Sequence, residues 1–220
     1  MKIYQLSEES QKPDVDVDVD VDIEDEEKLE VKPFNERMEI KKIKEQALWE
    51  RIYDKIPWEI EIASTSQDMR GIDAFVVGLK NGPSMAPKTV QLKERHSVGD
   101  VALELVKPFK LDKNGRFEDH GLTGKDMITT VDLYFCVDSA STLRIYNGTK
   151  LKTSAVTMGE SFIRLLKYNP RKTRETYPDG AVAVIQDPSP EATGNSGSVE
   201  KIMAYINPDI VTPIYTLQLD

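Results

Sequence analysis

Four short strand-like stretches follow one another between Trp58 and Lys107, directly behind a helical stretch that Pro57 stops. Upstream, Met38, Ile40, Ile43, Ala47, Leu48 and Ile52 recur at helical spacing from about Asn35 to Lys55, flanked by Trp49 and Tyr53. Trp58–Ala63 then alternates apolar and polar residues, as a half-buried strand does. Gly71–Val77, Thr89–Arg95 and Asp100–Lys107 give three further strands, and Asn81-Gly82-Pro83 places a turn or hairpin loop over Leu79–Pro87. A helix leading into consecutive strands predicts an α/β domain built on a mixed sheet.

Beyond residue 107 the pattern is less regular. Gly115–Lys125 is polar and irregular; Val131–Asp138 and Thr142–Tyr146 are strand-like, with Asn147-Gly148 as a tight turn. Gly159–Tyr168 predicts a helix that Asn169-Pro170 ends, Ala181–Gln186 and Val211–Leu219 predict strands, and Ser189–Ser198 predicts a flexible loop. There is no convincing internal repeat. A chain of 220 residues suffices for one domain with a sizeable core, and no linker divides it. The expected organisation is an acidic, flexible tail over residues 1–30 and one domain over residues 31–220.

The charge is unevenly placed. Residues 14–30 hold ten acids and Lys28, which accounts for the whole net charge of -9 and leaves the other residues balanced. The alternating Asp and Val of Asp14–Asp22 has the period of a strand, but an acid block of this kind is expected to stay solvated. A balanced body does not exclude nucleic acid as a partner. No run of 18 apolar residues predicts a membrane span, and the N-terminal stretch lacks the apolar core of a signal peptide. Cys136 is the only cysteine, so no internal disulfide and no cysteine zinc site forms, and a reducing cytoplasm is the expected setting.

The chemistry-bearing residues lie on the second and third strands. Side chains of a strand alternate between faces, so Gln91 and Lys93 share one face while Val90 and Leu92 take the other. Asp73 lies near the start of its strand. Antiparallel pairing across the Leu79–Lys88 connection brings Asp73, Gln91 and Lys93 together, given the right register. A carboxylate, an amide oxygen and an ammonium at one point can assist attack on a phosphodiester. Magnesium takes one or two carboxylates with phosphate oxygens and water, and an ammonium can orient or deprotonate the water and offset phosphate charge. Gln91 brings a dipole where an acid would bring charge. A further acid is therefore wanted, from Glu45 or Glu50 on the helix or from Glu104 on the fourth strand.

The string Asp68-x-x-x-Gly-Ile-Asp73, then Thr-Val-Gln91-Leu-Lys93-Glu-Arg95, then Gly-Asp-Val-Ala-Leu-Glu104 resembles the restriction-endonuclease-like superfamily of PD-(D/E)xK nucleases, of the kind found in phages and mobile elements. The resemblance covers about residues 35–110. Asp73 matches the motif's aspartate, Gln91 its variable acid and Lys93 its lysine, while Glu45 or Glu50 fits the helical glutamate often found in that superfamily. It implies a restriction-endonuclease-like core with a mixed central sheet flanked by helices, Mg2+ or Mn2+ held by Asp73, Gln91 and Glu50 or Glu104, and hydrolysis of DNA. It also allows a homodimer, of which the sequence shows no interface.

Each of these residues has a plainer role open to it. Asp73 can fix a turn, Lys93 can run along an edge strand with its head in water, and each glutamate can be solvated. His96 and His120 sit in polar loops, too isolated for a metal pair. Arg95 and the cluster Arg164, Lys167, Arg171, Lys172 and Arg174, interleaved with Tyr168 and Tyr177, would suit phosphates and bases, or equally a solvated helix end. Two other functions remain open: a catalytically silent nuclease fold acting as a DNA-binding or assembly component, and an interaction protein that engages a basic partner through its acidic tail.

Overall fold

The computed structural model describes residues 34–68, 70–95, 99–170, 172–186 and 200–219. The acidic tail, His96, Arg171 and the Ser189–Ser198 loop therefore lie outside the described residues. The chain runs through α1 (Phe34–Lys55), β1 (Trp58–Ile62), α2 (Thr65–Asp68), β2 (Ala74–Leu79), β3 (Ser84–Glu94), β4 (Val101–Val106), α3 (Lys125–Ile128), β5 (Leu133–Val137), β6 (Thr142–Asn147), α4 (Gly148–Tyr168), β7 (Arg174–Thr176), β8 (Val182–Gln186), β9 (Lys201–Ile206) and β10 (Tyr215–Gln218). The result is an α/β architecture with a mixed sheet flanked by helices. No helix among the described residues is long and apolar enough to cross a membrane.

The first sheet has the order β1-β2-β3-β5-β6-β10. Its pairs are antiparallel except β3 with β5, which run parallel. Antiparallel neighbours need only a hairpin, but a parallel pair needs a crossover. Here the crossover spans residues 95–132, and it carries β4 into a second, antiparallel sheet of order β4-β9-β8-β7. The fourth of the early strands thus stands in a different sheet from the first three. Strand alternation specifies which residues share a face and says nothing of which neighbour the edge will find.

The two faces of the first sheet bury different cores. One holds Ala74, Val76, Val90, Leu133, Phe135, Val137, Leu143 and Ile145 against Leu48, Trp49 and Ile52 of α1. Trp49 and Trp58 both tilt against the Phe135 ring, at 6.1 and 6.2 Å between centroids. Among the described side chains of α1 the contribution comes from its C-terminal half, and Ile43 of the expected apolar stripe is exposed. The other face presents Tyr134, Cys136 and Tyr146 to α3, α4 and the second sheet. Burial on this face pushes the pKa of the Cys136 thiol up to about 12.

Asn147-Gly148 is not a tight turn. Asn147 caps α4, its side chain accepting from the Lys150 N–H at 3.0 Å. The helix begins eleven residues before the expected Gly159 because Leu151, Ala155 and Met158 bury there among residues of weak helix preference. Gly148 and Gly124 are fixed by close approach. A Cβ on Gly148 would fall inside the radius of the Val131 carbonyl oxygen, and one on Gly124 inside that of Glu104. The loop expected over Leu79–Pro87 is shorter, with β3 starting at Ser84, and β7 and β9 add strands that the sequence pattern does not announce.

Gly124→Ala is expected to cost about 3 kcal/mol through backbone overlap at Glu104. Asn147→Ala is expected to cost about 1 kcal/mol through the lost cap. Urea unfolding of the two variants beside the wild type measures both.

Candidate functional site

Asp73 and the third strand meet as the register requires. Ala74 pairs with Val90, and Asp73, one residue earlier, takes the open end of β2. Its N–H donates to the Val90 carbonyl at 2.8 Å, and its Oδ2 accepts from the Leu92 N–H at 2.6 Å. The carboxylate thus closes the ladder where β2 has ended. Gly71, at φ 87°, makes the turn into it and lies against Lys125 and Thr129, and the Thr129 hydroxyl donates to the Arg70 carbonyl at 2.9 Å.

Burial pushes the Asp73 carboxyl up to about 6. The Leu92 N–H opposes this, the nearby charges of Asp68 and Glu45 add to it, and Lys125 opposes it. A partly buried acid with acids around it is short of positive charge. The cleft in front of Asp73 has the same imbalance. About 590 Å3 in volume, it lies between α1 and the β1–β2 edge, lined by Glu45, Glu50, Asp54, Asp68 and Asp73, with Lys42 the only basic lining residue among the described residues. Trp49, Tyr53, Ile60 and Ile62 form its apolar wall.

The helical glutamates separate. Glu45 is half-buried and its charge is felt at Asp73, whereas Glu50 is exposed and accepts from the Gln46 amide at 3.2 Å. Both still line the cleft. Glu104 is engaged elsewhere. Its Oε1 accepts from the Lys125 N–H at 2.9 Å, and its Oε2 lies 3.7 Å from Lys201 Nζ. It stands on the second sheet, tied to α3.

Gln91 and Lys93 share the opposite face to Val90, as alternation predicts. Gln91 is opposite Tyr134 and Lys93 opposite Cys136. Gln91 is 3% exposed, and its Oε1 has no hydrogen-bond partner among the described residues. A buried amide oxygen left this way costs stability and is available to a donor or a cation. Lys93 is not a free edge lysine. Its Nζ lies 2.9 Å from Oδ2 and 2.7 Å from Oδ1 of Asp126, a residue only 1% exposed. Asp126 Oδ2 also accepts from the Glu104 N–H at 2.7 Å. Tyr134 stands between these parts: burial raises its hydroxyl pKa, and Asp126 and Asp73 raise it further.

Asp126 is the residue that sequence reasoning missed. It sits on a four-residue helix behind a polar, irregular stretch, 33 positions from Lys93. Its only sequence signal is an acid followed by the apolar Met127-Ile128 pair.

Among the described residues, no group of three or more His, Cys, Asp or Glu side chains stands ready to hold a metal ion. Asp73 and Gln91 offer two oxygen ligands at most, which suits magnesium's habit of filling its remaining positions with water and phosphate. The orphaned Gln91 oxygen and the raised Asp73 carboxyl are both relieved by a cation.

The described residues of the basic cluster lie at the end of α4 and on to β7. Lys167 pairs with Asp119 at 2.7 Å, Lys172 pairs with Glu175, and Arg164 and Arg174 are exposed. Lys152 of α4 reaches the Thr129 carbonyl beside the site at 3.2 Å. Lys167 lies fifteen residues further along the same helix, roughly 22 Å at helical rise. Arg95 holds Asp100 at 3.0 Å and covers the Tyr205 ring at 4.8 Å, joining the sheets. His120 pairs with Glu118 on the surface.

Two stability measurements test this geometry. Ionised Asp73 burdens the fold, because its folded value is raised above the ordinary 3.8. The burden is absent below about pH 4 and fully present above about pH 6. Asp73→Asn is therefore expected to come close to the wild type at pH 4 and to exceed it by about 3 kcal/mol at pH 8. Asp126→Ala, which strips Lys93 of its partner and leaves the Glu104 N–H unpaired, is expected to cost about 3 kcal/mol. Denaturant unfolding across pH checks both.

Compared with known proteins, the chain matches no family model, no curated protein and no solved structure.

Proposed function

We propose that the chain is a metal-dependent endonuclease of restriction-endonuclease-like fold that hydrolyses DNA phosphodiester bonds. The observation that carries the reading is the placement on paired strands β2 and β3 of a carboxyl raised by burial at Asp73, a buried amide oxygen at Gln91 and the Lys93 ammonium two residues on. The mixed first sheet, entered from a helix, is the kind of core that the sequence resemblance implies. Glu45, whose charge reaches Asp73, is the better of the two helical glutamates for the role of supplementary acid.

Asp73 and Gln91 would hold Mg2+ or Mn2+. Such an ion, when bound, polarises the phosphate and makes water a stronger nucleophile. In the reaction, water oxygen bonds to phosphorus, the bond from phosphorus to one sugar oxygen breaks, the leaving oxygen gains a proton and the water loses one. Lys93 offsets the charge that builds on the phosphate. The acids of the cleft would repel bare DNA unless a cation offset them. The basic cluster at the end of α4 would hold flanking duplex.

A second reading is favoured by one observation: no ready-made set of three metal-binding side chains occurs among the described residues. On that reading the fold binds DNA or a partner without cutting.

Plasmid and branched DNA with manganese separate the two. Nicking or cleavage that falls about 100-fold or more in Asp73→Ala and in Lys93→Ala bears out the first. Equal activity of the wild type and both variants sinks it. Intact DNA binding without a manganese site, measured by calorimetry, favours the second.

A further inference from the structure

We infer that Asp126 is the positioning residue for Lys93, supplying from the crossover the negative charge that the third strand lacks at Gln91. This rests on the nuclease reading.

A lysine on a strand has a four-carbon stem and a strongly hydrated head, so unaided it samples many positions. Lys93 does not have that freedom. Both oxygens of Asp126 lie within 2.9 Å of its ammonium. Asp126 is itself immobilised. Its Oδ2 is held by the Glu104 N–H, while Glu104 returns the contact by accepting from the Lys125 N–H next to it. The Gly124 backbone lies directly on that of Glu104, so α3 cannot shift without moving β4. The lysine side chain keeps 20% of its surface exposed, against 1% for Asp126. One end of the pair is thus anchored and the other keeps part of its surface open to solvent.

An acid at position 91 would share a strand face with Lys93, two residues away. Glutamine there leaves the ammonium with Asp126 as its charged partner on the other side. The arrangement gives Lys93 a defined role. It enters the reaction as a cation already held in place, donating to a phosphate oxygen or to the attacking water, and its aim is set by a residue that touches neither.

Asp126→Asn isolates this role, because the amide oxygen can still accept from the Glu104 N–H while the charge is gone. In manganese-supported plasmid cleavage, kcat is expected to fall about ten-fold with KM within two-fold of wild type. Asp126→Glu, which restores the charge, is expected to recover most of it. In a Lys93→Ala background, followed at high protein concentration, Asp126→Asn is expected to add no further loss. Circular dichroism and thermal melting confirm folding, and Asp126→Ser takes the place of the Asn variant if the latter does not fold. An unchanged kcat overturns the inference, as does an equal loss with and without Lys93, which marks a purely structural residue. Either result leaves the nuclease reading standing if the wild type cleaves and Asp73→Ala does not. A folded wild type that cleaves nothing overturns both.

Discussion

The carboxylate of Asp126 is where the two sheets meet. It takes the Lys93 ammonium from β3 and the Glu104 N–H from β4, and it is almost wholly removed from water. A buried charge is tolerated only when it is paired and hydrogen-bonded. The satisfaction of this one group therefore demands that both strands be in place. Arg95, bound to Asp100 and laid over Tyr205, repeats the connection a turn further along. The remaining contact between the sheets is apolar and fills the core around α4.

The chemistry of the candidate site follows from the same geometry. Each face of the first sheet has its own core, so a polar group on either face must be near an edge or be paired. Asp73 is at the end of a strand, where it substitutes for the missing ladder partner of Leu92. Lys93 is paired. Gln91 is neither, and its amide oxygen is the unexplained polar atom of the third strand. Glu45 and Asp68 crowd the cleft with negative charge without neutralising it. This excess acidity is what the proposed cation would offset.

Much of this was visible in the sequence, and the parts that were not share a cause. The helix before Pro57, the first three strands, and the common face of Gln91 and Lys93 depend on local hydrophobic period, which a sequence carries directly. The antiparallel pairing that brings Asp73 to β3 follows from a short connection. By contrast, β4 was recognised as a strand but its sheet was not, because its partner β9 is about a hundred residues away. Asp126 was hidden for the same reason. Asn147 was misplaced because one residue type serves both tight turns and helix caps, and only the burial of Leu151 and Ala155 behind it decides between them. The basic cluster looked coherent in one dimension and proved to be spread over a helix end and a sheet edge.

The crossover between β3 and β5 has a consequence for how the chain assembles. The parallel pair at the centre of the first sheet is joined by a segment that must deliver β4 to a different sheet, and among the described residues β4 pairs with β9 alone, about a hundred residues further on. Neither sheet can be completed locally. A growing chain released through residue 147 holds all the strands of the first sheet except its last, with β4 left as an unpaired, strongly apolar edge. Contacts this distant in sequence slow folding and expose strand edges while they are awaited. The protein's vulnerable moment is therefore during synthesis, before β9 has emerged, and its native stability says little about it.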